Sequence, residues 1–283
     1  MRFAMAAADR YQGVFKAFIE AGWQPVKLFT RPSKAGHDSH QAVAALAEQH
    51  HIPVQISRIT ADDLKNLSGE CDVLVVASYD WRIPDWQPFV KYAVNFHNSP
   101  LPIGRGPYPV VRAILENYPA WGVTCHQLTS EMDQGAILSR EDFPMQPDEC
   151  HESLDLKIQI AAARLAFRTA KNFVELWNNA QPQSEGSYWP SWTDADRTMD
   201  FNLPVDQIMR QVRAFGAFGT LARINDMTLN VKRAVGWKEA HSIAPGQPVH
   251  LHDTRVVVTA ADGYIGLLEW ASQPPDEGAI KPA

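Results

Sequence analysis

A chain of 283 residues, 45% hydrophobic and 20% charged, has the size and balance of one large or two modest globular domains. No apolar run approaches the ~18 residues of a membrane helix, and the brief apolar start Phe3-Ala4-Met5-Ala6 reads as a buried strand, not a signal peptide. A formal net charge of −6 argues against a nonspecific nucleic-acid binder, and three cysteines without a CxxC pair (Cys71, Cys125, Cys150) argue against a disulfide framework or a zinc site and fit a reducing, cytoplasmic setting.

Along the first half, short apolar runs alternate with helical patterns. Arg2–Ala6, Val26–Phe29 and Ile52–Ile56 read as strands. Tyr11–Ala21 carries Val14, Phe15, Phe18 and Ile19 at helical spacing, and Ser39–His50 carries Val43, Leu46 and Ala47 on one face. Thr60 reads as the N-cap of a short helix, with Asp63 three residues on. Val73–Ala77 is continuously apolar, as expected of a central strand covered on both faces. This alternation predicts crossover units and an α/β fold with a Rossmann-like, doubly wound, mostly parallel sheet. Ala6-Ala7-Ala8-Asp9-Arg10 stands where a Gly-x-Gly-x-x-Gly turn would follow the first strand, so a dinucleotide site of that type is rejected.

Tyr92-Ala93-Val94 leads into Asn95-Phe96-His97-Asn98-Ser99-Pro100-Leu101-Pro102, a strand running into a Pro-rich loop. Ligands of open α/β sheets bind at the carboxyl ends of strands, and residues i and i+2 share a side. Asn95 and His97 therefore converge on one group, unless the pair only bonds locally. A helix over Pro107–Asn117 and strands over Trp121–Leu128 and Ile137–Phe143 follow, the two strands flanking a loop that carries Asp133. Together the three side chains are a sensible catalytic set: an amide to donate to an oxyanion, an imidazole to move a proton, and a carboxylate to fix and stabilise that imidazole. A long helix over Glu152–Asn178 closes the domain, with Leu154, Ile158, Leu165, Phe173 and Leu176 as its core stripe.

Gln181–Ser187 is polar and breaker-rich and reads as a linker. The chain thus divides into a catalytic domain at 1–180, a linker at 181–193 and a C-terminal domain at 194–283. In the last, a helix over Val205–Phe215 precedes short strands at Thr220–Ile224, Met227–Val235, Pro248–His250, Arg255–Thr259 and Tyr264–Trp270, which suit a small barrel or sandwich. His250 and His252 share a strand face, but no third ligand accompanies them, so no metal is expected.

Asn95-Phe96-His97-Asn98-Ser99-Pro100-Leu101-Pro102 with Arg105-Gly106 resembles the Asn-x-His-x-Ser-x-Leu-Pro…Arg-Gly signature of the 10-formyltetrahydrofolate-dependent formyltransferases. Asp133-Gln134-Gly135-Ala136-Ile137-Leu138 resembles their Asp-x-Gly-x-Ile-Leu loop, and Ala77–Pro84 their folate loop; Tyr188-Trp189-Pro190 through Phe215 is similar to the junction and second domain of the tRNA-directed members. The resemblance implies a smaller OB-like β domain at the C-terminus and 10-formyltetrahydrofolate as formyl donor. It implies Asn95, His97 and Asp133 as catalysts; Asn95 and protonated His97 would donate to the oxyanion, and His97 or a water on Asp133 would take the amine proton. Tyr79, Trp81, Arg82, Ile83 and Met132 would line the folate pocket, although ordinary packing accounts equally well for Tyr79 and Trp81. Ser99 and Arg105 stand as substrate-binding candidates, with loop anchoring the favoured role for Arg105.

The acceptor is expected to be the primary amine of a small molecule, an aminosugar on a nucleotide or an amine derived from an amino acid. The segment after the second strand holds only Arg31 and Lys34 as cations, and residues from Asp194 onward carry nine Lys/Arg against eleven Asp/Glu, a net of −2. A surface that neutralises phosphates should be basic. A tRNA acceptor is the alternative; a formyltetrahydrofolate hydrolase and a non-catalytic folate or nucleotide binder are further ones. A homodimer stays open, and no membrane partner is expected.

Overall fold

A computed structural model describes residues 1–33, 39–252 and 255–273. Arg2–Ala7 (β1) pairs in parallel with Gln24–Thr30 (β2) and with Val73–Ala77 (β4). Val54–Ile56 (β3) lies outside β2, and Tyr92–His97 (β5) runs parallel to β4. Ala120–Gln127 (β6) and Ile137–Pro144 (β7) add an antiparallel pair, giving a seven-stranded sheet in the order β3-β2-β1-β4-β5-β6-β7. This is the mostly parallel α/β sheet that the strand–helix alternation predicts. All five residues of β4 are buried, as its uninterrupted apolar run requires.

The helices Gln12–Glu20 (α1), Gln41–Gln49 (α2) and Ala61–Leu67 (α3) lie within one or two residues of their expected positions. Thr60 and Asp63 form a reciprocal capping box at α3. One part of the core packs Phe29, Leu64, Leu67, Leu74, Val76 and Trp86 together. Another is aromatic: Phe18 meets Trp23 at 4.9 Å and Phe96 at 6.0 Å, both edge-on. Each such ring contributes ~1.5–3 kcal/mol through burial, with a further ~0.5–1.5 for edge-to-face geometry.

One expectation is revised. The long closing helix is two helices, His151–Lys171 (α5) and Phe173–Asn178 (α6). Asn172 separates them at φ −121°, its side-chain amide bonded to the Arg168 carbonyl at 3.2 Å, where an Asn side chain competes with helical bonding. The breaker-rich segment after α6 is irregular but tied down: Gln181 bridges to Ile137 and Tyr188 to Arg105.

By packing, the chain forms two compact units. The first comprises Met1–Gly106, Ala120–Pro144 and Leu156–Tyr188; the second comprises Pro107–Pro119, Met145–Asp155 and the residues from Trp189 onward. The second unit holds Pro109–Leu115 (α4), Asp194–Arg197 (α7), Val205–Phe215 (α8) and an antiparallel sheet of Thr220–Ile224 (β8), Met227–Lys238 (β9), Pro248–His252 (β10), Arg255–Ala260 (β11) and Gly263–Ser272 (β12), ordered β10-β11-β12-β9-β8. Val205, Ile208 and Val212 of α8 join Leu229, Val231, Val258, Ile265 and Leu267 in its core. Among the described residues, no helix is long and apolar enough to cross a membrane, and no group of three or more His, Cys, Asp or Glu could hold a metal ion.

Candidate active site

Strand β5 places the first two side chains. Phe96 is buried on one face against Phe18, so its neighbours Asn95 and His97 turn to the other. Antiparallel pairing sets Asn95 opposite His126 and His97 opposite Thr124. The Thr124 hydroxyl donates to the Ser99 carbonyl at 2.8 Å and accepts from the Leu101 N–H at 3.0 Å, fixing the loop where it leaves the strand.

Asp133 arrives from the β6–β7 connection and is 7% exposed. Its backbone is left-handed, φ +57°, which is uncommon for a residue other than Gly, Asn or Asp. Three contacts hold it there. The Gly106 N–H donates to Oδ2 at 2.9 Å, and the Gln183 side-chain amide donates to the carbonyls of Asp133 and Gly135, both at 2.8 Å. Gly135 itself passes so close to β6 that a Cβ there would lie 1.7 Å from the Gln127 carbonyl oxygen.

Within this frame His97 Nδ1 is 3.5 Å from Asp133 Oδ1, and His97 Nε2 donates to the Gly104 carbonyl at 2.9 Å. Asn95 Nδ2 faces Asp133 Oδ1 at 3.5 Å and His126 Nε2 at 3.2 Å. A nitrogen facing a carboxylate must be the donor end of the amide, so His126 Nε2 accepts, and its Nδ1–H goes to the Gln127 carbonyl at 2.8 Å. Burial is the stronger influence on His97 and draws its pKa below that of a free imidazole; the Asp133 carboxylate and the Gly104 carbonyl pull the other way. Burial would raise the Asp133 carboxyl, but His97, His126 and the Gly106 N–H outweigh it and hold it at about 2. The neutral imidazole beside a fixed carboxylate can accept a proton and release it again, which makes the cluster suited to general base–acid work.

The structure thus brings Asn95, His97 and Asp133 together. Of the two substrate-binding candidates, one is buried and the other is engaged within the fold. Ser99 is fully buried and faces no open space. Arg105 spends its guanidinium within the fold, Nε on Gln183 Oε1 at 3.0 Å and Nη2 on the Ser184 carbonyl at 3.0 Å. The folate candidates sit on two loops that Arg82 joins by donating to the Ser130 carbonyl at 2.9 Å. Tyr79 packs edge-on against Trp81 at 5.5 Å, its hydroxyl accepting from the Ile59 N–H at 2.9 Å; Ile83 packs on the core beneath, and Met132 is 59% exposed. Sequence reasoning missed His126 and Gln183. His126 was accessible in principle, because a His within the strand beside Asn95 must face one side of the sheet; Gln183 lay in a segment whose composition advertised only a linker.

A Rossmann-like sheet carries, at the carboxyl end of a strand, an Asn/His/Asp cluster whose His and Asp are buried, an arrangement suited to moving protons and stabilising charge at one centre. The family model of the formyl transferases matches residues 11–169, and that of the formyl transferase C-terminal domain matches 192–277. The chain belongs to the formyl transferase family. The methionyl-tRNA formyltransferase of Pseudothermotoga lettingae is 29% identical over 262 residues, covering 88% of this chain and 84% of that protein. That of Coprothermobacter proteolyticus is 30% identical over 218 residues, covering 73% and 69%. An N-formyltransferase from Helicobacter canadensis, solved with folinic acid and dTDP-3-aminofucose, superposes with TM-score 0.68 over 95% of this chain and 99% of that one at 18% identity. HypX from Aquifex aeolicus, solved with tetrahydrofolic acid, gives 0.67 over 97% of this chain and 44% of that one, also at 18% identity. These structural likenesses establish the shared fold.

Proposed function

We propose that this chain transfers the formyl group of 10-formyltetrahydrofolate to the primary amine of a small molecule, an aminosugar on a nucleotide or an amine derived from an amino acid. The observation that carries the reading is the contact of His97 and Asn95 with one oxygen of the buried Asp133, each at 3.5 Å. The loops bearing Tyr79, Trp81, Arg82 and Ile83 on one side and Met132 on the other suit a flat heterocycle. The folate ligands of the structural relatives support that donor.

Neutral His97, its Nε2–H held by Gly104, presents Nδ1 as the base. The amine attacks the formyl carbon, and His97 Nδ1 takes the proton that the new C–N bond makes acidic. Asp133 stabilises the imidazolium. The Asn95 N–H on the long 3.5 Å contact is the weaker of its two bonds and the one able to turn to the developing oxyanion. His97 then returns its proton to N10 as the bond from N10 to carbon breaks, leaving tetrahydrofolate and a formamide.

The small-amine reading draws on charge. Arg31 is 8% exposed and paired with Asp80 at 3.1 Å, so it is engaged within the fold; Lys34 lies outside the described residues. The segment from Asp194 onward is net negative. The curated relatives favour a second reading, methionyl-tRNA as acceptor. Mass spectrometry of products formed from 10-formyltetrahydrofolate with nucleotide-aminosugars, small amines and initiator methionyl-tRNA separates the two. Binding to tRNA through phosphates would also weaken steeply with salt, with a log–log slope near −0.9 per duplex phosphate contacted. We expect a formylated small amine and no salt-sensitive tRNA binding at micromolar protein. Formylated methionyl-tRNA as the sole product would establish the second reading.

A further inference from the structure

We propose that Gln183, in the segment between the two family domains, is a positioning residue that holds Asp133 against His97. The proposal rests on the catalytic reading of Asn95, His97 and Asp133 given above. Its own support is the bonding of one side-chain amide. Nε2 donates to the carbonyls of Asp133 and Gly135, both at 2.8 Å, and Oε1 accepts from Arg105 Nε at 3.0 Å. Two carbonyls on one side and a guanidinium N–H on the other fix which end is nitrogen, and they use both N–H donors.

Gln183 thereby joins the two loops that make the His97–Asp133 pair. The loop after β5 carries Gly104, whose carbonyl holds His97, and Gly106, whose N–H holds Asp133. Arg105 stands between them and reaches Gln183, which grips the backbone of the Asp133 loop. The Asp133 backbone is left-handed, so it stays in place only if its surroundings hold it there. The segment that carries Gln183 is anchored further along. The Ser187 hydroxyl accepts from the Gly104 N–H at 2.8 Å, the Arg105 N–H donates to the Ser187 carbonyl at 3.0 Å, and Gly186 packs so near Pro102 that a Cβ would lie 2.1 Å from its carbonyl oxygen. Loss of the Gln183 amide leaves that anchoring intact and releases the Asp133 loop, while Arg105 gives up its Nε bond and keeps its Nη2 bond to the Ser184 carbonyl.

The test reads the His97 titration by NMR in Gln183→Ala and in Gln183→Met, a variant that keeps most of the side-chain volume without the donors, alongside thermal unfolding of each. The titratable and charged groups acting on His97 are Asp133, which raises its pKa, and His126 and Arg10, which lower it. Releasing Asp133 weakens the raising influence, so His97 should titrate ~0.5 pH or more below its value in the unaltered protein in both variants. An unchanged His97 titration in a folded variant overturns the proposal, and so does loss of folding in both variants, which would assign Gln183 to stability alone. His97→Ala, assayed in parallel for formyl transfer, keeps the two questions apart. A shifted titration with full transfer in His97→Ala would mean that Gln183 positions a pair that is not catalytic. An unchanged titration with transfer abolished in His97→Ala would remove Gln183 and leave the catalytic reading standing.

Discussion

His97 Nδ1 lies 3.5 Å from Asp133 Oδ1, while the opposite ring nitrogen donates to the Gly104 carbonyl at 2.9 Å. The imidazole is held between two oxygens inside the protein. Its neutral form faces a carboxylate with a lone pair, and its charged form is penalised by burial. Such a ring takes up a proton transiently and gives it back, as a transfer between an amine and a leaving nitrogen requires.

The balance fixes a pH dependence. His97 has a lowered pKa, chiefly from burial, so the native state binds fewer protons than the unfolded chain in the window between that value and ~6.5. Stability and the fraction of His97 able to act as a base are both full above ~6.5 and fall as pH drops through the window. Asp133, held at about 2, contributes stability that is present above the ordinary carboxylate range and is lost as pH falls towards that value. The acid limb of kcat/KM should therefore lie below pH ~6.5. An acid limb above it would place the controlling base at a group other than His97, and activity lost on deprotonation at pH ~6.5 would mean that His97 works from the charged form.

Asn95 can be tested by two substitutions. Its Nδ2 faces Asp133 Oδ1 at 3.5 Å, so Asn95→Asp would set two carboxylates against each other and turn a negative charge on the oxyanion. Asn95→Ala loses only a donor, which lowers rate ~10²–10³-fold. Steady-state kinetics should rank Asn95→Asp below Asn95→Ala. The opposite ranking would assign Asn95 to orienting the amine. His126→Leu removes the acceptor that steadies the amide and is expected to lower kcat ~10-fold with little change in folate KM; an unaltered kcat would remove His126 from the site.

Gly135 sets the approach of the Asp133 loop to β6. Gly135→Ala would place a methyl 1.7 Å from the Gln127 carbonyl oxygen, against backbone that cannot yield without moving β6 or the loop. A loss of ~1–3 kcal/mol in stability is expected, with a larger fall in kcat because the loop carries Asp133. Denaturant unfolding and kinetics on the same preparation check both. Wild-type kcat would show that the loop position is not critical.

The sheet was legible because its strands are apolar runs between helical patterns; Val73–Ala77 and Val205–Phe215 lie where their sequences put them. The meeting of Asn95, His97 and Asp133 was legible because two of them are i and i+2 on one strand and the third sits in a loop with a family signature. What escaped was set by other forces. The break at Asn172 depends on one side-chain bond that periodicity does not register. Ser99 is polar and lies in a site loop, yet it is buried. Composition cannot distinguish a loop residue that faces solvent from one that closes a turn. Gln183 escaped because its role comes from carbonyls 48 and 50 residues away in the sequence.

The central claim is that the formyl carbon passes from folate nitrogen to an amine at His97. The most direct measurement follows formyl-labelled 10-formyltetrahydrofolate in the presence of a candidate small amine, with the unaltered protein, His97→Ala and Asp133→Asn. The account predicts label on the amine with the unaltered protein and a rate lower by ~10²–10⁴-fold in His97→Ala, with Asp133→Asn also falling steeply. Label released as formate while the amine stays unmodified, or transfer by His97→Ala at the unaltered rate, would contradict it.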